Sequence, residues 1–275
     1  MPISRPQPNV LTVLATVNGR KLKLIVDTGW HRDGITVQSD SVSAPHLATE
    51  DVEVFGTSAS GAKMLRFKKT RADRVALGNV ELTQVPLFLG NIQGLEGHTF
   101  RTVGADGFVG VGFLNTCSAI VDLHNLRLYL RPPGKGHRAV IGPALQASGL
   151  SEVPLLPGCL VEVEINGFPG KMVVDTGAFL AGLDVRMAPL VRATGYRSRV
   201  GITDASGATM ETKLARLHSF KIGGVNARAP DIRLQTFGFY STSGGKIIGL
   251  LGMDILGPNG TIIDFGQQKL YFYKL

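Results

Sequence analysis

The sequence predicts an all-β chain built from two similar halves, on three observations. Glycine and proline are frequent, at 35 and 14 of 275 residues, and they punctuate short alternating segments, the pattern of strands joined by turns. Three blocks of residues recur in one order along both halves. Each copy of the first block carries an apolar run, Leu24-Ile25-Val26 or Met172-Val173-Val174, into Asp-Thr-Gly. Such runs read as buried strands. The tripeptide after them reads as a sharp turn, because Gly tolerates positive φ and Asp and Thr side chains bond local N–H groups.

The repeat is defined by its offsets. Asp27 and Asp175 are 148 residues apart, and the same offset pairs Asn18-Gly19 with Asn166-Gly167, Val13 with Val161 and Gly34 with Gly182. Thr57, Ala59-Ser60-Gly61-Ala62 and Met64 match Thr203, Ala205-Ser206-Gly207-Ala208 and Met210 at an offset of 146. Gly107-Phe108-Val109-Gly110 matches Gly249-Leu250-Leu251-Gly252, and residues 122–130 match 264–272, both at 142. This is a tandem duplication, far too long for a solenoid period. It divides the chain into a first lobe, 1–130, a proline- and glycine-rich linker, 131–157, and a second lobe, 158–275.

In order, a strand over 10–17 turns at Asn18-Gly19, a hairpin signal, and returns over 21–26 into Asp27. A strand resumes over 34–37, and 41–49 is expected to hold a short helix. Strands at 52–55 and 62–67 flank a glycine hairpin, followed by short strands at 71–77, 80–82 and 85–89. Residues 91–106 read as a glycine-rich loop, 108–112 as a buried strand, 113–117 as a helical turn and 119–130 as a closing hairpin. Within the linker, 143–150 is expected to form a helical turn. The second lobe repeats the plan, with its clearest helix over 186–194, ended by Gly195.

Composition narrows the function. Hydrophobic content of 44% with 18% charge suits a sizeable core. No apolar run approaches the ~20 residues of a membrane span. Residues 1–9 are polar and Pro-rich, so no signal peptide is visible, and the compartment is left open between the cytoplasm and an exported, trimmed form. A net charge of +8 raises nucleic-acid binding, but the densest basic cluster, 66–71, reads as one solvated strand face, and no nucleic-acid partner is expected. Six histidines without ligand spacing and no Cys-x-x-Cys predict no metal and no cofactor. Cys117 and Cys159 fall at unmatched places in the repeats, and whether they pair is left open. Asp122, Asp264 and Asp254 read as structural.

Asp-Thr-Gly after an apolar strand, a later glycine hairpin and an apolar-apolar-Gly block resemble the aspartic protease clan. Ile248-Gly249-Leu250-Leu251-Gly252-Met253-Asp254-Ile255-Leu256, followed by Ile263-Asp264-Phe265, is similar to its retropepsin-like branch. The resemblance implies two β-barrel lobes about a pseudo-two-fold axis, with an active cleft between them and Asp27 and Asp175 as a catalytic pair. It implies an aspartic endopeptidase in which Thr28 and Thr176 cross-brace the two loops and the N–H groups of Gly29 and Gly177 hold the carboxylates. A peptide or protein substrate would lie extended under flaps at Ala59, Ser60, Gly61 and Ala205, Ser206, Gly207, one or two of them in use. Two lobes already complete the pair, so a monomer is expected. The family usually has a small residue after the glycine. Ala178 fits, whereas Trp30 would narrow the cleft, so both are read as cleft-lining. The alternative is a catalytically impaired protein that binds peptides without cutting them.

Overall fold

The computed structural model describes the chain apart from residues 8, 43–48, 59–60, 92–102, 134–140, 198–201, 204–208, 211–212, 228–230 and 274–275, with backbone alone at 6–7, 54–58, 61–65, 194–197, 202–203 and 209–210. Strands β1 (Ser4–Gln7), β2 (Val10–Val17), β3 (Arg20–Asp27), β4 (Ile35–Gln38), β5 (Glu50–Ser58), β6 (Gly61–Leu77), β7 (Val80–Gly90) and β8 (Gly107–Gly110) make the first sheet. Pairing of β6 back onto β2, Ala15 opposite Leu77, closes six of them into a barrel. A second sheet contains β9 (Ile120–Asp122), β10 (Arg127–Tyr129), β11 (Leu150–Pro154), β23 (Ile262–Asp264) and β24 (Lys269–Tyr273). The third, a curled half-barrel, runs in the order β15 (Thr194–Arg197), β18 (Lys213–Arg216), β21 (Ile232–Gln235), β14 (Gly182–Asp184), β22 (Ile247–Leu251), β13 (Phe168–Val174), β12 (Leu160–Ile165), β19 (Phe220–Ile222) and β20 (Val225–Asn226), with β16 (Ile202–Thr203) and β17 (Thr209–Met210) as a separate pair.

Both Asn-Gly turns work as their residue types dictate. Asn18 and Gly19 sit at φ 48° and 85°, Asn166 and Gly167 at 50° and 83°, the doubly positive geometry that lets a two-residue loop follow strand twist. Each Asn side chain then clips a neighbouring segment: Asn18 Oδ1 accepts from Arg74 N in β6 at 3.0 Å, and Asn166 Oδ1 from His218 N, in the bend before the strand Phe220–Ile222, at 2.7 Å.

The duplication is visible in the registers. Val26 lies opposite Val109 in the parallel β3–β8 pair, and Val174 opposite Leu251 in β13–β22. The two offsets, 148 and 142, therefore meet at one structural position. In the middle sheet, Val121 of the first lobe faces Ile263 of the second, its own counterpart, with Ile262 opposite Asp122 and Asp264 opposite Ile120. The pseudo-two-fold axis passes through that pair.

Several local expectations are corrected. Residues 71–89 are not three short strands but the end of long β6 and one continuous β7, paired from Lys68 opposite Leu89 to Leu77 opposite Val80. The helix expected over 186–194 is only a 3₁₀ turn, Val185–Met187, and Gly195 lies inside a strand, Thr194–Arg197. Its apolar periodicity was short, and Asp184 bonds Arg186 instead of leaving it on a solvated face. The helix in 131–157 is Gly142–Ala147, and β11 makes part of the expected linker an edge strand of the middle sheet. Gly182 is the counterpart of Thr36, not of Gly34: Phe108 faces Thr36 and Leu250 faces Gly182. That pair is 146 apart against 148 for the aspartates, so the first lobe's loop is two residues longer. The short helix expected over 41–49 lies largely outside the described residues.

Asp184 is fully buried and accepts from Arg186 Nε at 2.7 Å, Arg186 Nη2 at 2.8 Å and Phe237 N at 2.9 Å. Burial pushes its carboxyl up, but Arg186 and the two backbone N–H groups overcome that and hold it below the ordinary aspartate value. A lowered acid adds stability above its unfolded pKa of about 3.9 and loses it as pH falls through the folded value. Asp184→Asn is expected to melt earlier than the parent at neutral pH, with the gap closing below about pH 4, as read by thermal melts across pH.

Candidate active site

The end of β3 delivers Asp27 and the end of β13 delivers Asp175, each from a strand buried at Val26 and Val174. The turns after them are tied across the pseudo-two-fold. Thr28 Oγ1 donates to Val174 O at 2.7 Å and Thr176 Oγ1 to Val26 O at 2.7 Å. In return, Thr176 N donates to Thr28 Oγ1 at 2.9 Å and Thr28 N to Thr176 Oγ1 at 3.1 Å. Both threonines are fully buried. Four hydrogen bonds thus weld the loops into one unit that fixes where the acids stand.

The carboxylates are held locally as well. Gly29 N donates to Asp27 Oδ1 at 2.8 Å, Gly177 N to Asp175 Oδ1 at 2.9 Å, and Ala178 N to the same oxygen at 3.0 Å. The side chains of Asp27 and Asp175 hydrogen-bond one another. Glycine is required for this proximity. A Cβ on Gly29 would lie 2.5 Å from Asp175 Oδ2, and one on Gly177 2.4 Å from Asp27 Cγ. Burial holds the Asp175 carboxyl above its ordinary value; the N–H groups of Ala178, Gly177 and Gly29 and the bond with Asp27 pull the other way without cancelling it.

Trp30 is half-buried and turned into the first lobe. Its Nε1 donates to Thr36 Oγ1 at 2.8 Å, its ring stacks on Phe108 at 5.4 Å and meets Phe67 edge-on at 5.8 Å. Two features accommodate it. The longer loop carries its backbone past Gly110, where any Cβ would lie 2.1 Å from Trp30 O. Phe67 at the base of the β5–β6 hairpin supplies the other wall. Sequence reasoning missed Phe67, Phe108 and Ile25 as companions of this side chain. The available signal was alternation, since Ile25 and Phe108 neighbour the core residues Val26 and Val109 and must face the opposite side.

The hairpin of β5 and β6 pairs to its end, Ser58 opposite Gly61. Its counterpart is a short pair, Ile202–Thr203 with Thr209–Met210. Ala59, Ser60, Ala205, Ser206 and Gly207 lie outside the described residues. Asp254 accepts from Ala181 N at 2.7 Å, and Asp122 and Asp264 accept from turn N–H groups of Asn125, Gly266 and Gln267. Cys117 and Cys159 are separate buried thiols. Burial pushes Cys117 up to about 12 and Cys159 upward too, the latter beside Thr28 and both aspartates. Among the described residues no cluster of metal-ligating side chains occurs, and no helix is long and apolar enough to cross a membrane.

A closed barrel and a half-barrel, sharing a middle sheet and tied at matched Asp-Thr-Gly turns, define the two-lobed, pepsin-like class. The crystal structure of an aspartic proteinase from Irpex lacteus is similar over 99% of this chain and 96% of that one, with a TM-score of 0.54 and 13% identity. Residues 161–255 match the family model for aspartyl proteases. The family-model match falls in the second lobe, and the likeness in structure extends the two-lobed fold to the whole chain. No curated protein sequence matches the chain.

Proposed function

We propose that the protein is an aspartic endopeptidase and that Asp27 and Asp175 are its catalytic pair. The observation that carries this reading is the welded, reciprocal placement of the two carboxyls, each against the other loop's glycine. Two carboxyls in one site cannot both ionise cheaply, so the pair keeps a proton, as the aspartic protease dyad does. The ionised partner takes a proton from water as it attacks the peptide carbonyl, and the protonated partner donates to the carbonyl oxygen. The titration belongs to the pair, so neither residue is assigned the proton. Thr28, Gly29, Thr176 and Gly177 position the pair. The substrate lies extended, strand-like, beneath the β5–β6 hairpin and its shorter counterpart. A single chain supplies both acids, so a monomer suffices. The engagement of Trp30 by Thr36, Phe108 and Phe67 supports this reading over that of an impaired, peptide-binding site.

The direct test is a mixed peptide library incubated across pH and read by mass spectrometry. Pepstatin-sensitive internal cleavage is expected; intact peptides at every pH sink the proposal.

The pH optimum follows from the same site. A hydroxyl after the active-loop glycine lowers a neighbouring carboxyl pKa by donating to its charged form, and Trp30 and Ala178 offer none. With Asp175 raised by burial, the alkaline limb of the rate profile falls above the ordinary aspartate value of about 3.9, giving a mildly acidic optimum. Ala178→Ser is expected to move that limb to lower pH. A profile peaking at gastric acidity, or a limb unmoved by the serine, refutes the assignment.

A further inference from the structure

The middle sheet has two unlike faces. Val121, Ile263, Leu270 and Phe272 join the main core with Val26 and Val174, the residues beneath the aspartates. Ile120, Ile262, Leu150 and Tyr271 point the other way and form a separate cluster. The helix Gly142–Ala147 covers the Leu150–Tyr271 side of that cluster: its Gly142 is so close that a Cβ there would meet Tyr271 Oη at 3.0 Å. Over β9, β10 and β23 the cover stops, leaving a pocket of about 410 Å³ lined by Ile120, Ile262, Leu130, Ile141 and Leu145, with Arg131 beside them.

That volume lies in the range of small-molecule sites, which are mostly apolar with a few placed polar groups. The polar lining is Ser118, Asp122, Tyr129 and Arg131, and Arg131 is its cation. Arg131 is half-buried, and among the described residues its guanidinium has no hydrogen-bond or ion-pair partner. The acid at the pocket, Asp122, has both oxygens engaged by Asn125, at 2.8 and 2.9 Å. Arg presents a planar fork of donors matched to a carboxylate, and such charge-assisted pairs strengthen away from water.

We propose that this pocket binds a single-chain alkyl carboxylate, the chain seated on Ile120, Ile262 and Leu145 and the carboxylate on Arg131. The site draws Ile120 from the first lobe and Ile262 from the second, and it is independent of the aspartate pair.

Calorimetric titration of the full chain with decanoate and with decanol tests it. Decanoate is expected to bind at one site at least tenfold more tightly than decanol. Arg131→Gln should bring decanoate down to the level of decanol and leave decanol unchanged. Ala144→Trp, which fills the pocket from the helix, should abolish both while leaving peptide cleavage intact. Binding should persist with the cleft saturated by pepstatin. Equal affinity for the two ligands, binding indifferent to both substitutions, displacement by pepstatin, or no binding each overturns the proposal. A lipid bilayer offers related anionic chemistry, so phosphatidylglycerol vesicles form the remaining arm. Sedimentation with them that depends on Arg131 overturns the single-chain assignment; its absence supports it.

Discussion

Replacing either Asp27 or Asp175 with Asn is expected to lower kcat by a factor of about 10²–10⁴, the usual worth of positioned acid–base groups, with KM little changed. Asn keeps the shape and most of the hydrogen bonds, including those from Gly29 N or Gly177 N, but it can neither take nor hold the shared proton. At Asp175 the same change is expected to stabilise the fold at neutral pH. Burial raises Asp175 above its unfolded value, so whatever it adds to stability is complete below about pH 3.9 and is lost as pH rises through the folded pKa. At pH 7 its ionisation is therefore a cost that Asn removes. Activity falls while Tm rises, the trade expected where function maintains a strained site. Turnover at the parental rate in either variant would end the case for this pair.

The second large effect is expected at the threonines. Thr176→Val keeps the volume but leaves the Val26 carbonyl without its donor and the Thr28 N–H without its acceptor, both in a fully buried setting. At about 1–3 kcal/mol for each orphaned group the loss is about 2–6 kcal/mol. For a chain of this size each kcal/mol is worth ~2–4 °C, so Tm should drop by on the order of 10 °C. Thr28→Val should cost a similar amount. The four bonds divide two and two between the hydroxyls, with no group shared, so the double variant should lose about the sum of the two singles. A single variant that melts with the parent would mean that its hydroxyl does not hold the loops.

Much of this arrangement was legible in the residues. The repeated Asp-Thr-Gly, the Asn-Gly turns and the apolar strands that carry the acids are local in sequence, and local chemistry dictates their geometry. What escaped depends on partners far along the chain. Strand lengths in β6 and β7 are set by barrel closure onto β2, which no window of sequence displays. The expected helix after Asp184 lost to a buried acid that needs Arg186 and Phe237 N. The direction of Trp30 was set by two extra loop residues and by aromatic walls on β6 and β8. A matched glycine pair, Gly34 and Gly182, misled because an identical spacing concealed that insertion.

The facing of Val121 by Ile263 bears on ancestry. Where a position meets its own duplicate across a symmetry axis, the surface that joins the halves is self-complementary. A gene encoding a single half would have made a product able to assemble with an identical copy, strand edge against strand edge, before fusion joined the two. Divergence could then begin, giving one half a longer loop with a tryptophan and the other a shorter one with an alanine.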